Sequence, residues 1–147
     1  MAVRNKNCLD SNPSNQVGVE WAKIVNLTPH PITICDDNCS PVLTLPPSGM
    51  VARVKQERRL AKVLQVIQRL DDEVTMDVVM VPVVEATYGE VEGLPGPKRG
   101  VVYVVSSVVL EALKGQRDDV VAPDTGPGSV CRDENGRIIG VRFLRRW

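Results

Sequence analysis

Apolar positions in this chain fall into short valine-rich runs, and the spacing within each run predicts its element. Trp21 to Leu27, Ile32 to Cys35, Val42 to Leu45 and Met50 to Val54 read as four strands, with turns at Pro29-His30-Pro31, Asp36-Asp37-Asn38 and Pro46-Pro47-Ser48-Gly49 between them. Glu57 to Leu70 differs. Leu60, Val63, Leu64, Ile67 and Leu70 recur at helical spacing while Arg58, Arg59, Lys62, Gln65 and Arg69 point elsewhere, so the period predicts a helix. A strand ribbon is the competing reading. Val74 to Tyr88 reads as one or two strands, and Pro82 within it predicts an edge or a bulge.

The segment YGEVEGLPGPKRG is expected to be a loop, followed by a buried strand over Val101 to Val105. Ser106 is placed to cap a second helix ending at Lys114, with Gly115 as its stop. Val120 to Ala122 is a short strand. Ser129 to Arg132 and Arg137 to Leu144 form a hairpin around Glu134-Asn135-Gly136. The polar stretch from Met1 to Val19 buries little and is expected to be a flexible tail, leaving residues 20–147 as one domain. The fold class is therefore α+β: an antiparallel, sheet-rich single domain with two helices.

Composition narrows the function. The 147 residues suffice for one domain with a core. Formal net charge is zero, so no overall field draws the chain to DNA. No apolar run reaches membrane-spanning length, and no signal-peptide core opens the chain, which predicts a cytoplasmic protein and no membrane partner. Of the four cysteines, only Cys35 and Cys39 lie close in sequence, and His30 is the single imidazole. That is no zinc ligand set. Four reduced thiols and no metal are expected.

The candidate chemistry lies in the last third. Arg117, with Asp118 and Asp119 beside it, stands between a helix stop and a strand. A guanidinium there suits bidentate phosphate contact, and a neighbouring carboxylate can accept from ribose hydroxyls. A helix-end ion pair is the bland alternative. Tyr88 precedes Gly89 at a strand end, where its ring can stack on a purine or merely cover the sheet. Lys98 and Arg99 add positive charge nearby. PDTGPGS has the glycines of a phosphate cradle but lacks the lysine of a P-loop, so Thr125 and exposed amides are contacts at most. Asn26, Thr28 and His30 form a polar cluster that either meets ligand or satisfies its own turn. The tail Arg142, Arg145, Arg146 and Trp147 reads as an interface, a phosphate patch or a solvated end. A serine hydrolase needs a base beside its nucleophile, and only His30 is available, with no nucleophile elbow. No catalytic residue is assigned.

The strings IVNLTPHPITI, PPSGMVARV, VEATYGEVEGLPGPKRGVVYVVSS and RDDVVAPDTGPGSVCRDENGRIIGVRFL, in this order and spacing, resemble the phage-encoded sponge proteins known as Thoeris anti-defence proteins of the first type. The resemblance spans Ile24 to Leu144 apart from Glu57 to Val81, where this chain carries extra residues. It implies a non-enzymatic protein without cofactor that sequesters cyclic ADP-ribose isomers made by bacterial immune proteins, inside the infected host cell. It also implies cyclic di- or trinucleotides as a second ligand class at a separate site, and dimers that build into hexamers. On this resemblance the ligand's phosphates fall to Arg117 and Arg99 and its adenine to Tyr88. Gly100 stands where relatives place a contacting side chain. A phosphodiesterase that degrades such a signal and a phage structural protein are the rival readings.

Overall fold

The computed structural model describes residues 17–69 and 76–147, which build two four-stranded sheets, one short helix and a long two-stranded ribbon. The first sheet contains β1 (Lys23–Asn26), β6 (Val101–Val104), β7 (Val120–Pro123) and β10 (Leu144–Arg145), in that spatial order. Helix α1 (Ser107–Leu113) connects β6 to β7, and the parallel pairing of these two strands requires such a crossover. The second sheet orders β3 (Pro41–Leu45), β2 (Ile32–Cys35), β9 (Ile138–Val141) and β8 (Val130–Arg132). Antiparallel pairing holds for β2–β3, β8–β9 and β7–β10, while β1–β6, β6–β7 and β2–β9 are parallel. The architecture is sheet-rich α+β, as the valine content implies.

The core lies under the first sheet. Leu27, Tyr103, Val105, Val109, Leu110, Val120 and Ala122 are buried together, and Val25, Leu94 and Val101 pack at its margin. Three of its residues, Val109, Leu110 and Leu113, are the inward face of α1. The helix begins as the sequence indicates. Ser106 is extended and its hydroxyl accepts from the Val109 amide. It ends one residue earlier than Gly115 suggests, because Lys114 itself adopts the left-handed conformation. Gly115 follows with the same sign of φ, and the Trp147 ring lies over it where a Cβ would stand 2.7 Å from the ring. The C-terminal tail therefore folds back onto α1, and Arg145 pairs with Glu111 at 3.0 Å.

The helix expected over Glu57–Leu70 is instead strand. β4 runs Arg53–Arg69 and pairs antiparallel with β5, Met76–Glu92. One helix forms, not two. The helical spacing misled because this strand is apolar on both faces: Val63 and Ile67 lie on one, Leu64 and Val66 on the other. Such a strand shows no alternation, and 3.6-residue spacing then matches by coincidence. Val63, Val66 and Ile67 are β-branched, and the cross-strand partner absorbs them. Pro82 sits on a strand with an open edge, as expected, since both strands of a two-stranded ribbon are edges. β5 also runs on past Tyr88 to Glu92, so the expected loop starts only at Gly93. Residues 70–75 and residues 1–16, which hold most of the expected flexible segment, lie outside the described residues.

The thiol expectation is also corrected. Cys39 and Cys131 form a disulfide, with Cα atoms 5.4 Å apart across 92 residues of sequence. Pairing of β2 with β9, and of β9 with β8, brings the Asp36–Ser40 turn beside β8. Cys35 is buried and free, and Cys8 lies outside the described residues. No helix among the described residues is long and apolar enough to cross a membrane.

Candidate functional site

The base of the ribbon, the end of α1 and the segment after it enclose an open groove of about 750 Å³. Tyr88, Glu90 and Val91 come from β5, Leu94 from the following loop, and Ala112, Leu113, Gln116 and Arg117 from the helix end. Three chain segments thus meet here, and each has a local reason to arrive. A register shift between Val54 and Gln56 places Gly89 and Glu90 opposite the single residue Lys55, a bulge that re-aims β5 as it leaves the ribbon. Gly93, at φ +77°, turns the chain into the loop. A Cβ there would stand 2.4 Å from the Val51 carbonyl oxygen, so only glycine fits. The left-handed pair Lys114-Gly115 turns the chain out of α1, and the Gln116 amide donates to the Leu113 carbonyl at 3.0 Å.

Arg117 is held firmly. Its Nε and Nη2 donate to Asp119 Oδ1 and Oδ2, both at 2.7 Å, and Nη2 also donates to the Pro95 carbonyl at 3.0 Å. The two side chains are only 19% and 15% exposed. The Asp119 hydrogen bonds raise the guanidinium's pKa above its ordinary value, and burial opposes them. The same hydrogen bonds hold the Asp119 carboxyl below the usual carboxylate range. The pair also ties the loop through Pro95 to the strand start at Asp119, fixing two walls of the groove. Nη1 has no hydrogen-bond partner among the described residues, and Arg117 lines the groove. Sequence reasoning set Arg117 beside both acids, with an ion pair as one reading, and gave Asp118 to the ligand; Arg117 pairs with Asp119, and Asp118 is exposed.

Tyr88 and Arg117, the two residues singled out most strongly, therefore share one groove. Gln116, from the same charged knot as Arg117 in the sequence, joins them, as does Glu90, which sequence reasoning did not assign. The remaining candidates lie elsewhere. Gly100 and Asp118 line a separate depression of about 290 Å³ with Trp21, Lys98 and Arg146. Arg99 is exposed in the Lys98–Val101 turn, where the Val101 amide donates to the Lys98 carbonyl at 3.1 Å. Thr125 lines a cleft of about 230 Å³ with Ile32, Pro123 and Ile138.

Asn26 and Thr28 are committed to their own turn. Asn26 Nδ2 donates to the His30 and Leu45 carbonyls at 2.8 and 3.0 Å. Asn26 Oδ1 accepts from the Thr28 amide and hydroxyl at 2.9 and 2.7 Å. Both residues are buried, and the His30 imidazole stands on the surface. PDTGPGS is likewise a closed turn: Asp124 Oδ1 accepts from the Gly126 amide at 2.9 Å, and the Gly126 carbonyl accepts from Ser129 at 3.1 Å. No metal-ligating cluster of His, Cys, Asp and Glu occurs among the described residues.

No protein-family model, curated protein or solved structure matches this chain.

Proposed function

We propose that the protein binds and sequesters a nucleotide-derived signal of the cyclic ADP-ribose class, without catalysis, in the cytoplasm of an infected bacterial cell. The observation that carries this reading is the meeting of Tyr88, Gln116 and Arg117 in one groove. Such a ligand presents a purine, two phosphates and ribose hydroxyls. Tyr88 offers a stacking face, Arg117 Nη1 a charge-assisted donor, Gln116 an amide and Glu90 an acceptor for hydroxyls. About 750 Å³ falls within the usual size of small-molecule sites. The groove is open on one side, so retention of the ligand requires a cover. A homo-oligomer, dimers building to a hexamer, would supply it. Gly100 and Asp118 line the separate depression and Arg99 is exposed in the turn beside it, so these three stand outside this groove.

Isothermal titration of the purified protein with cyclic ADP-ribose isomers tests the reading. Binding should be stoichiometric with the chain and weakened by about 1–3 kcal/mol, roughly fivefold or more, by Tyr88→Ala. Chromatography of the mixture afterwards should return the ligand unchanged. No heat with any isomer refutes the ligand class, and a ring-opened or cleaved product refutes sequestration in favour of a phosphodiesterase.

A further inference from the structure

We propose that Cys39 and Cys131 are a reversible, peroxide-reactive dithiol, in which Arg142 holds the Cys39 sulfur as a thiolate and Cys131 closes the disulfide. The two sulfurs are joined in this structure. Arg142 directly follows β9. Its Nη2 donates to Cys39 Sγ at 3.5 Å, and its Nη1 donates to the Gly128 carbonyl at 3.1 Å. Nε is buried with no hydrogen-bond partner, and the guanidinium pairs with no carboxylate among the described residues. Nε and Nη2 form the edge of a guanidinium that suits an anion. In the disulfide that edge meets only a neutral sulfur, which is a weak acceptor. Reduction frees the same sulfur to ionise, so the Cys39 thiolate is the counter-ion that Arg142 lacks. A neighbouring arginine favours the thiolate, and the thiolate is the reactive form of cysteine. The carboxylates that oppose it are Asp36 and Asp37 on the same turn. Both are exposed, and Asp36 Oδ1 is turned back onto the Asn38 and Ser40 amides at 2.9 and 3.0 Å. Arg132, beside Cys131, is exposed and donates to the Gly136 carbonyl.

Backbone hydrogen bonds, not the crosslink alone, place the two sulfurs. In the Asp36–Ser40 turn the Asp36 amide donates to the Ser40 carbonyl at 2.9 Å and the Cys39 amide to the Asp36 carbonyl at 3.0 Å. Cys131 lies in β8, opposite Gly140 of β9. Both thiols therefore stay side by side when the bond opens. Exposure divides their roles. Cys131 is only 1% exposed, whereas Cys39 is partly open, so a small oxidant meets Cys39 first. The Cys39 thiolate attacks one oxygen of a peroxide. An S–O bond forms and the O–O bond breaks, giving a sulfenic acid and a hydroxide that takes up the proton Cys39 released on ionising. The Cys131 sulfur then attacks Cys39 Sγ. The S–S bond forms, the S–O bond breaks, and the leaving hydroxide takes the Cys131 proton. The two thiols are oxidised to the disulfide and hydrogen peroxide is reduced to water. An external dithiol reverses the change by thiol–disulfide exchange. Cys35, buried and free on β2, is the internal contrast.

The test uses the reduced full chain, with peptide mapping to assign each modified cysteine, and is independent of any nucleotide. Alkylation of Cys39 by iodoacetamide should follow a pH profile with its midpoint at about 7.5 or below, against about 8.5 for a free thiol. Arg142→Gln should raise that midpoint to the free value, and Arg142→Lys should restore most of the lowering. Stoichiometric hydrogen peroxide should rejoin Cys39 to Cys131. In Cys131→Ser, where the sulfenic acid cannot be resolved, peroxide with dimedone should label Cys39 and leave Cys35 unlabelled. The wild-type profile decides the matter if Arg142→Gln does not fold. A wild-type midpoint at the free-thiol value, an Arg142→Gln midpoint equal to the wild type's, or a Cys131→Ser protein in which dimedone misses Cys39 overturns the proposal.

Discussion

Asp119→Asn separates the two duties of Arg117. In the wild type the guanidinium donates through Nε and Nη2 to Asp119 and Pro95, at 2.7 to 3.0 Å, and Arg117 lines the groove. Asparagine preserves shape but removes the charge and one acceptor, leaving a guanidinium that is 19% exposed without its counter-ion. Stranding a fully buried charge costs about 3–5 kcal/mol. Residual solvent contact lowers that here to about 2–3 kcal/mol, the range of a lost charged hydrogen bond plus partial desolvation. For a chain of this size that is roughly 5–10 °C in Tm. The sign with pH follows from the shifts. Asp119 has a depressed pKa in the folded state, so its contribution is full above the unfolded value of about 3.9 and is lost as pH falls through the folded value. Arg117 is raised from an already high value, so its own contribution is present at every pH below about 12. Urea unfolding of both proteins should show the full difference at pH 7 and a shrinking one below about pH 4. A variant within 0.5 kcal/mol of wild type at pH 7, or a gap that stays constant into acid, would refute the account of the pair.

Three further outcomes are expected. Tyr88→Phe should bind ligand nearly as well as wild type, whereas Tyr88→Ala should lose about 1–3 kcal/mol if a base stacks there; calorimetry that finds the Phe variant as weak as the Ala variant would assign the contact to the hydroxyl. Gly93→Ala should destabilise by at least about 2 kcal/mol, because a positive φ and a Cβ pressed on the Val51 carbonyl act together; a wild-type melting temperature would contradict the turn geometry. Cys39→Ser removes a crosslink spanning 92 residues and should cost about 2–4 kcal/mol in oxidising buffer, with the difference vanishing when a dithiol reduces the wild type as well; equal stability in oxidising buffer would mean the two thiols are not joined.

Much of the body was legible in the sequence. Short apolar runs bounded by Pro, Gly and Asn turns mark β2, β3, β6, β7 and the β8–β9 hairpin, because each is locally punctuated. Ser106 declared its cap through residue type alone. The ribbon was not legible. Its strands bury neither face within their own chain, so Leu60, Val63, Leu64 and Ile67 carry no period-2 signal, and helical spacing took its place. The disulfide was hidden by distance: Cys39 and Cys131 meet only after β2, β9 and β8 align. In the candidate groove, Arg117 stood out as a charge after a helix stop and Tyr88 as a ring before a glycine, but their meeting needed the bulge at Gly89-Glu90 and the turn at Gly93. Which of the two adjacent acids, Asp118 or Asp119, pairs with Arg117 was not legible, because they look alike in sequence. Only strand geometry turns Asp119 inward, with Asp118 left exposed.

The central claim is that the groove retains an intact nucleotide signal. The most direct measurement is mass spectrometry of small molecules released by heat from the protein after incubation with a cyclic ADP-ribose isomer and removal of free ligand. The account predicts recovery of the unchanged isomer at up to one per chain, falling at least tenfold for Arg117→Ala and Tyr88→Ala. Recovery of a hydrolysed product, or of no nucleotide at all from a folded wild type, would contradict it.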